Sequence, residues 1–375
     1  WFRASSVCAE GSEAVTSGID EAAVLEALKV VEDPDLHRDI VSLGFVKQVR
    51  IEDGGRVGFT IELTTPACPV KEQMKAQAEA AVQQLAGVTS VSIEMTANVR
   101  SAVGGPEGPA PLEGVKNVIA VGAGKGGVGK TTVSVNLACA LARLGGKVGV
   151  MDADIYGPNV PIMLGVQKQL STDGKKIIPA EKYGLSVVSM GFLTKEESPV
   201  IWRGPMLHGI IQQFFREVHW GELDYLVVDM PPGTGDIALS LSQTVPVAGA
   251  VVVTTPQTVS LADTRRAVHM YKKLNIPVLG LLENMSHFVC PECSHESDIF
   301  GKGGSVPVAD QLEIPYLGQI PLYQPIRVGG DEGVPIVLGE PDCPAAQALS
   351  HAATQLAAQV SIASYDQASA TAVTV

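Results

Sequence analysis

The chain is short of the residues that mark several classes of protein. Six cysteines among 375 residues are too few for a disulfide scaffold. No apolar run approaches the roughly 20 residues that a membrane-spanning helix needs. Charged residues make up only 18% against 46% hydrophobic residues, which excludes a disordered or fibrous chain. We therefore expect a soluble globular protein without a membrane partner, in a reducing compartment where thiols serve metals or redox chemistry.

Basic residues are also scarce. Lysine and arginine number 27 against 40 acidic residues, so the net charge is −13. A domain that neutralises nucleic-acid phosphates usually carries a basic excess, so we expect no nucleic-acid partner. An initiator methionine is absent as well. Residues 1–18, with their serines and Arg3, fit the remnant of a transit peptide or an ordinary disordered terminus, and Glu10 and Glu13 count against the former.

Residues 19–100 carry the patterns of a small α+β domain. Apolar residues recur first at helical spacing, then in two strand-like runs separated by a hairpin signal, Asp53-Gly54-Gly55. The predicted elements are a helix from the N-cap Asp20 to before Pro34, strands at 44–51 and 56–63, a helix at about 69–85 and a strand at 88–95.

A linker and a larger domain follow. Glycine and proline dominate residues 101–114, a composition typical of linkers. Residues 115–360 then alternate helical segments with continuous apolar runs at 118–121, 148–151, 185–188, 226–228, 250–253 and 278–282. Continuous runs are typical of strands buried on both faces, so we expect an α/β domain whose mostly parallel sheet is covered by helices on both faces. Residues 361–375 are expected to be a disordered tail.

A phosphate-binding loop lies between the first of these strands and the next helix. Residues 124–132 read G-K-G-G-V-G-K-T-T, which matches G-x-x-x-x-G-K-[ST] and predicts a P-loop NTPase domain. Glycines let successive N–H groups ring the phosphates, while Lys130 reaches the β- and γ-phosphates and the Thr131 hydroxyl ligates Mg²⁺. The alternative is a glycine-rich turn without a ligand. The predicted ATP contacts are Gly124, Lys125, Gly126, Gly127, Val128, Gly129, Lys130, Thr131 and Thr132.

Lys125 is an unusual residue in this loop, because a phosphate cradle within one subunit does not need it. The wording K-G-G-x-G-K-[ST] resembles the deviant phosphate loop of dimeric ATPases such as the nitrogenase iron protein, MinD and ParA. In that group the corresponding lysine reaches the nucleotide of the partner subunit. The resemblance therefore implies an ATP-bound homodimer, with Lys125 and Lys130 both catalytic.

Three carboxylates follow predicted strands at the edge where ligands bind in open α/β sheets. We expect Asp154 to orient the attacking water, Asp152 to support the Mg²⁺ region and Asp229 to hold Mg²⁺ through water. Residues 230–236 resemble a switch loop with a further acid, Asp236. The alternative for any single aspartate is a helix cap or a loop residue. Resemblance to the same ATPase group implies that Asn284, after the strand at 278–282, contacts the adenine; otherwise Asn284 is a turn residue.

Cys290 and Cys293 form the chain's single C-x-x-C. Two thiolates at this spacing can hold one soft metal or two irons of a cluster, but [4Fe–4S] and structural Zn²⁺ sites usually take four ligands. A twofold dimer would supply four, and Lys125 independently implies a dimer. The alternatives are a redox dithiol, a zinc knuckle with His295 as third ligand, and two unliganded thiols.

These motifs together resemble one family. The wordings K-G-G-V-G-K-T-T, D-A-D-I-Y-G-P-N, W-R-G-P-M, D-M-P-P-G-T-G-D and N-M-S-x-F-x-C-P-x-C are similar to those of the Mrp/ApbC family of ATP-dependent iron–sulfur cluster carriers, over residues 115–345. The N-terminal unit resembles the small iron–sulfur-assembly domain often fused ahead of it. The resemblance implies a homodimer that binds ATP, Mg²⁺ and a labile [4Fe–4S] cluster at Cys290 and Cys293, and that meets iron–sulfur donors and recipient apo-proteins.

Cys68 is a candidate accessory thiol. It precedes the predicted second helix, whose dipole would favour the thiolate, and a structural cysteine is the alternative. Its surroundings, L-T-T-P-A-C-P-V, resemble plastid and cyanobacterial members, so we expect the chloroplast stroma, with the cytoplasm as the alternative. The plastid carrier usually lacks the C-x-x-C and carries a further C-terminal domain, and in this the present chain departs from it.

Two other functions compete with a cluster carrier. A positioning ATPase of the MinD or ParA type uses a membrane or DNA as its track, and a membrane anchor of this kind is a basic amphipathic helix. No lysine or arginine follows Arg327, and the net charge of −13 disfavours DNA. The third candidate is a zinc-stabilised interaction module without enzymatic activity, which the complete set of ATPase motifs disfavours.

Overall fold

Contacts divide the chain into two units with different hydrophobic patterns. The computed structural model describes residues 19–101, 109–155, 157–167, 171–172, 174–192, 204–233, 235–290, 292–293 and 295–373. The expectations for residues 1–18, for the centre of the linker and for Trp202 and Arg203 of W-R-G-P-M lie outside these ranges. Among the described residues, the first unit comprises 19–63 and 70–96, and the second comprises 64–69 and the residues from 97 on.

The first unit is a small α+β structure, as predicted. Its elements are α1 (Glu21–Leu28), β1 (Glu32–Asp33), β2 (Arg38–Asp39), β3 (Val46–Glu52), β4 (Arg56–Leu63), α2 (Lys71–Gln83) and β5 (Ser90–Ala97). Asp20 caps α1, because its carboxylate accepts a hydrogen bond from the Ala23 N–H at 2.7 Å. Strands β3 and β4 pair antiparallel around the predicted hairpin, and β5 completes a three-stranded sheet.

The second unit is built around the predicted α/β sheet. Its first half contains β6 (Val115–Gly122), α3 (Lys130–Arg143), β7 (Val148–Asp152), α4 (Val160–Met163), β8 (Ser171–Thr172), β9 (Ile177–Ile178), β10 (Ala180–Lys182), β11 (Leu185–Ser189), a 3₁₀ turn (Met190–Phe192) and α5 (Gly204–Glu217). Its second half contains β12 (Leu223–Asp229), α6 (Asp236–Thr244), β13 (Val247–Thr254), α7 (Thr258–Lys273), β14 (Val278–Glu283), β15 (Phe288–Val289), β16 (Glu296–Ser297), α8 (Val306–Leu312), β17 (Tyr316–Gln319), α9 (Gln324–Glu332), α10 (Ile336–Gly339) and α11 (Pro344–Val373).

Eight strands form the sheet in the order β10-β11-β7-β12-β6-β13-β14-β17. All pairs are parallel except β10 with β11, so the expectation of a mostly parallel sheet is confirmed. Alternate residues of β6 supply two hydrophobic cores. Ile119 and Val121 pack in the core that contains α3 and α11, whereas Val118 and Ala120 pack in the core that contains α5 and α7. Burial on both faces explains the continuous apolar runs.

The structure differs from the sequence-based expectations at three places. Strands β10 and β17, at the two sheet edges, were not expected. Residues 361–373 are not a disordered tail but continue α11, and their alanines are strong helix formers. Segment Thr64–Pro69 clusters with the second unit rather than the first, and its Ala67 is buried in that unit's core.

The helices of the described residues were compared with the requirements of a membrane span. None of their helices combines the length and the apolar composition that a membrane span requires.

Candidate functional site

The carboxyl ends of the central strands bring the predicted ATPase residues together. In the sheet register, Asp229 at the end of β12 pairs with Asp152 at the end of β7 and with Val121 at the end of β6. The phosphate-binding loop leaves β6 directly after Gly122. Sequence positions more than 70 residues apart therefore meet at one edge, because parallel strands in register end together.

The predicted phosphate-binding loop lines a pocket of about 250 Å³. The loop ends where α3 begins at Lys130, with Gly129 as the N-cap in the left-handed region at φ 79° and ψ 26°. The N-terminus of this 14-residue helix faces the loop and favours an anion there. All the predicted loop residues from Lys125 to Thr132 line the pocket, together with Asp154, Asn159, Met163 and Pro232.

Lys130 and Asp229 form the buried centre of the site. The Lys130 ammonium lies 2.7 Å from the Asp229 carboxylate, and the two side chains are 7% and 0% exposed. Asp229 also accepts hydrogen bonds from the Thr131 hydroxyl at 2.8 Å and from the Ser134 hydroxyl at 2.6 Å. The carboxylate is thus satisfied by α3, the helix that the phosphate-binding loop leads into.

This oxygen set fits the predicted Mg²⁺ region. The Thr131 hydroxyl and the Asp229 carboxylate supply adjacent hard oxygen atoms, which are the ligands that Mg²⁺ prefers. Mg²⁺ with the bound nucleotide would neutralise phosphate charge at this position. Ser134, which holds Asp229, was not anticipated, although a serine four residues after Lys130 lies on the same helix face.

The other two carboxylates differ in their surroundings. Asp154 lines the pocket, lies 3.8 Å from the Lys130 ammonium and accepts from the Gly157 N–H at 3.2 Å. Asp152 is fully buried beneath the site and accepts from the Ser189 hydroxyl at 2.9 Å and from the N–H groups of Asp154 and Val160. Asp152 therefore organises the segment after β7, a role that its position in the sequence did not reveal.

The environment of Asp152 changes its ionisation. Burial, and then the neighbouring Asp229 carboxylate, raise the pKa of Asp152 from 3.8 to about 8. The folded state therefore binds this proton more tightly than the unfolded state does. A raised carboxyl pKa contributes stability at low pH that is lost as the pH rises through this range.

We expect Asp152→Asn, which mimics the neutral acid, to remove this part of the pH dependence. In the nucleotide-free protein, its stability relative to wild type should increase as the pH rises from 3.8 toward about 8. Urea unfolding across this pH range measures the difference, with exposed Glu332→Gln as the matched control. Parallel curves for Asp152→Asn and wild type would contradict the prediction.

Asn284 lies against the phosphate-binding loop. It follows β14 directly, is 7% exposed, and its side-chain amide donates to the Val128 carbonyl oxygen at 2.9 Å. Its backbone N–H donates to the Thr254 carbonyl oxygen, which extends the pairing of β14 with β13 by one residue. Asn284, the residue predicted to contact the adenine, therefore touches the phosphate-binding loop at Val128, which lies 156 positions earlier in the sequence.

Cys290 and Cys293 lie at the tip of a hairpin formed by β15 and β16. Cys290 is half-buried and Cys293 is exposed. The Cys290 N–H donates to the His295 carbonyl oxygen at 3.0 Å, which closes the turn. The thiols are therefore presented outward on a short two-stranded support that leaves the sheet after β14.

The turn around the cysteines is suited to a soft metal. The backbone N–H groups of Cys293 and Glu292, and then the Cys293 thiol, lower the pKa of the Cys290 thiol by hydrogen bonding. Stabilised thiolates are the reactive and metal-binding form of cysteine. Among the residues that the structure describes, no group of three or more histidine, cysteine or acidic side chains is arranged to hold a metal ion. In this arrangement His295 does not complete a zinc knuckle within the described part of the chain.

Two further predicted residues are Asp236 and Cys68. Asp236 is the first residue of α6, after Gly235 at φ 128°. Cys68 lies in segment Thr64–Pro69, ahead of α2, which begins at Lys71 rather than at Pro69. Its role as an accessory thiol stays a prediction.

The sheet, the phosphate-binding loop and the carboxylates at the strand ends define a P-loop NTPase. A family model described as "NUBPL iron-transfer P-loop NTPase" matches residues 114–357, and one described as "Iron-sulfur cluster assembly protein" matches residues 21–94. The chain belongs to this family of iron-transfer P-loop NTPases, which agrees with the resemblance that the motifs carry.

Individual relatives cover most of the chain. It is 50% identical to the iron-sulfur cluster carrier protein of Synechocystis, over 91% of this chain and 98% of that protein. It is 42% identical to the chloroplastic Fe-S cluster assembly factor HCF101 of Arabidopsis thaliana, over 90% of this chain and 64% of that protein. A nucleotide-binding protein of Archaeoglobus fulgidus, solved in complex with ADP, is 37% identical with a TM-score of 0.53, over 59% of this chain and 88% of that one.

Proposed function

We propose that this chain is an ATP-dependent carrier of iron–sulfur clusters, whose cargo is a labile [4Fe–4S] cluster bound across a homodimer. The observation that carries the proposal is the hairpin after β14 that presents Cys290 and Cys293 outward. The residue that follows β14 contacts the phosphate-binding loop. Two thiols per chain are half of the usual ligand set, and a twofold axis doubles them. The names of the relatives support an iron–sulfur cluster as the cargo.

The ATPase residues divide the work of phosphoryl transfer. The loop amides and Lys130 would hold the phosphates, and Thr131 would hold Mg²⁺ together with Asp229, which acts through water. Asp154 would orient the attacking water from the pocket wall. Binding of phosphate oxygens by Lys130 would compete with its present contact to Asp229. Nucleotide binding therefore rearranges the charges at this edge of the sheet, and we propose that the rearrangement alters cluster retention and its transfer from donors to recipient apo-proteins.

The structure also bears on the alternative of a positioning ATPase. Helix α11 is the C-terminal helix of the described chain, and its sequence contains no lysine or arginine. A helix that binds an anionic membrane surface carries basic residues on its polar face. We therefore favour the carrier over an ATPase that uses α11 to bind a membrane.

Anaerobic reconstitution tests the cargo. We expect about four irons per two wild-type chains, with matching sulfide, and almost none in Cys290→Ala/Cys293→Ala. Iron and sulfide analysis with visible and Mössbauer spectra measures this. Cys343→Ala is the control, because the Cys343 sulfur accepts from the Ala346 N–H at the start of α11 and is assigned no cluster role. Equal loading of wild type and the double variant would refute the proposal.

Lys125 tests the dimer. If it acts on the nucleotide of the partner subunit, Lys125→Ala should reduce ATP turnover about a hundredfold or more, as loss of a cation supplied in trans does elsewhere. Binding of ATP to each chain should persist, because Lys130 and the loop amides remain. Light scattering with a non-hydrolysable ATP analogue should show dimers for wild type and for the control Lys176→Ala, and monomers for Lys125→Ala. A dimeric Lys125→Ala with normal turnover would contradict the assignment.

We further propose a reducing compartment, with the chloroplast stroma ahead of the cytoplasm. Sequence similarity to a chloroplastic factor and to a cyanobacterial carrier supports this assignment. Organelle fractionation with an antibody to this chain distinguishes the two locations.

A further inference from the structure

The two cysteines belong to a loop that leaves and re-enters the fold at β14. This cysteine loop comprises residues 284–305, between β14 and α8. Its outgoing arm is held by backbone hydrogen bonds to the segment after β17. The Ser286 N–H donates to the Ile320 carbonyl oxygen at 3.0 Å, and the Leu322 N–H donates to the His287 carbonyl oxygen at 2.6 Å.

The return arm of the cysteine loop is held by the side chain of Glu283, the last residue of β14. One carboxylate oxygen accepts from the Gly303 N–H at 2.8 Å, and the other accepts from the Ser305 N–H at 3.0 Å and from the Ser305 hydroxyl. Glu283 thus precedes the loop and also receives its end, so one side chain closes an excursion of about 20 residues.

Burying the Glu283 carboxylate at this position costs free energy. Glu283 is 0% exposed, and within the described part of the chain no lysine, arginine or histidine forms an ion pair with it. Burial of a charge without a cation is unfavourable unless hydrogen bonds satisfy it. Three donors from the return arm do so, and a carboxylate can accept all of them with two oxygens. The arrangement therefore favours a precise position for the return arm.

The same strand end also touches the phosphate-binding loop. Asn284, the next residue, donates to the Val128 carbonyl oxygen, and Met285 follows in the left-handed region at φ 55°. A non-glycine residue in this region is strained and is retained where the surroundings fix it. Glu283 closes the cysteine loop, and its neighbour Asn284 contacts the phosphate-binding loop. The two contacts are therefore joined by a single peptide bond.

We propose that Glu283 is a positioning residue for Cys290 and Cys293 that couples the state of the phosphate-binding loop to the two thiols. A movement of that loop displaces Asn284, the strand end carries Glu283 with it, and the return arm follows through its three hydrogen bonds. The proposal rests on the proposed function for the identity of the cargo, but the coupling itself concerns the cysteines in any state.

The test uses the full-length, reduced, cluster-free protein. Alkylation rates of Cys290 and Cys293 are measured by mass spectrometry, with and without saturating MgADP. MgADP is chosen because the proposed dimer forms on ATP, so the measurement reports on the path within one chain. In wild type we expect nucleotide to change the rates about fivefold or more, a typical size for coupling between sites.

Glu283→Gln replaces one of the two accepting oxygens by an amide donor, so at least one N–H group of the return arm loses its acceptor. We therefore expect the ratio of rates to fall toward one. Glu296→Gln is the matched control, because Glu296 is an exposed glutamate of the same loop that pairs with Lys302, and it should keep the wild-type ratio. A merely structural role would raise the rates equally with and without nucleotide and leave the ratio unchanged. A wild-type ratio of one, or an unchanged ratio in Glu283→Gln, overturns the proposal.

If circular dichroism shows that Glu283→Gln does not fold, Ser305→Ala replaces it. This variant keeps the carboxylate and removes one of its three donors, so its ratio should lie between those of wild type and one. A wild-type ratio in Ser305→Ala then overturns the proposal. Iron uptake by wild type is scored separately, so failure of the cluster cargo and failure of the coupling give different results.

Discussion

Replacing Lys130 by methionine is expected to abolish ATP turnover and also to destabilise the nucleotide-free protein. Turnover should fall at least about 10²–10³-fold, the usual cost of removing one donor that stabilises transition-state charge. Stability should fall by about 3–5 kcal/mol, because the variant leaves a fully buried carboxylate, Asp229, without its cation. Phosphate release and urea unfolding measure the two effects.

A double variant separates the two roles of Lys130. In Lys130→Met/Asp229→Asn the buried charge is removed together with its partner. The new amide accepts from one of the Thr131 and Ser134 hydroxyls with its oxygen and donates to the other with its N–H group. We expect most of the lost stability to return while turnover stays absent, since neither the phosphate cation nor the Mg²⁺ carboxylate remains. A double variant no more stable than Lys130→Met would show that the pair does not stabilise the nucleotide-free state.

The sheet and the phosphate-binding loop were predictable because their signals are local. Continuous apolar runs identify strands buried on both faces, and a loop motif between a strand and a helix identifies a phosphate site. Strand β17 escaped prediction because it has four residues, includes Gly318 and buries Leu317 alone. The disordered tail expected at residues 361–375 was wrong for residues 361–373, because a small and polar composition was read as disorder although its alanines extend a helix already formed.

The contacts within the site were less predictable because they depend on sheet register. Asp229 was identified from its strand, but its partner Ser134 became evident only with α3 in place. Asp152 was expected near Mg²⁺, and its hydrogen bond from Ser189 follows from the pairing of β7 with β11. Glu283 carried no signal in the sequence, since its partners lie some 20 residues further along the chain.

Substitution of Gly129 in the phosphate-binding loop should have a large effect. Its cause is a contact that the sequence motif does not reveal. The motif explains its glycines by exposed N–H groups, but the structure adds a second requirement at Gly129. A Cβ there would lie 2.3 Å from the Asn284 side-chain nitrogen and 3.6 Å from the Met285 methyl carbon, on a backbone at φ 79°. Gly129→Ala must therefore displace the loop or Asn284. We expect ATP turnover to fall about 10²-fold, since a misplacement of about 1 Å can cost this much in rate, and ATP affinity to fall with it.

Gly127 provides a control with the same backbone but open space. Its φ is 80°, and a Cβ added there would meet no atom within 4 Å. Gly127→Ala should cost the left-handed backbone, about 1–2 kcal/mol of stability, and lower ATP affinity less than Gly129→Ala does, because it leaves Asn284 in place. Gly129→Ala/Asn284→Ala should recover part of the lost affinity, because the double variant removes the clash but keeps the strained φ. Calorimetric titration with MgADP measures all three variants, and equal losses for Gly127→Ala and Gly129→Ala would show that Asn284 does not constrain the loop.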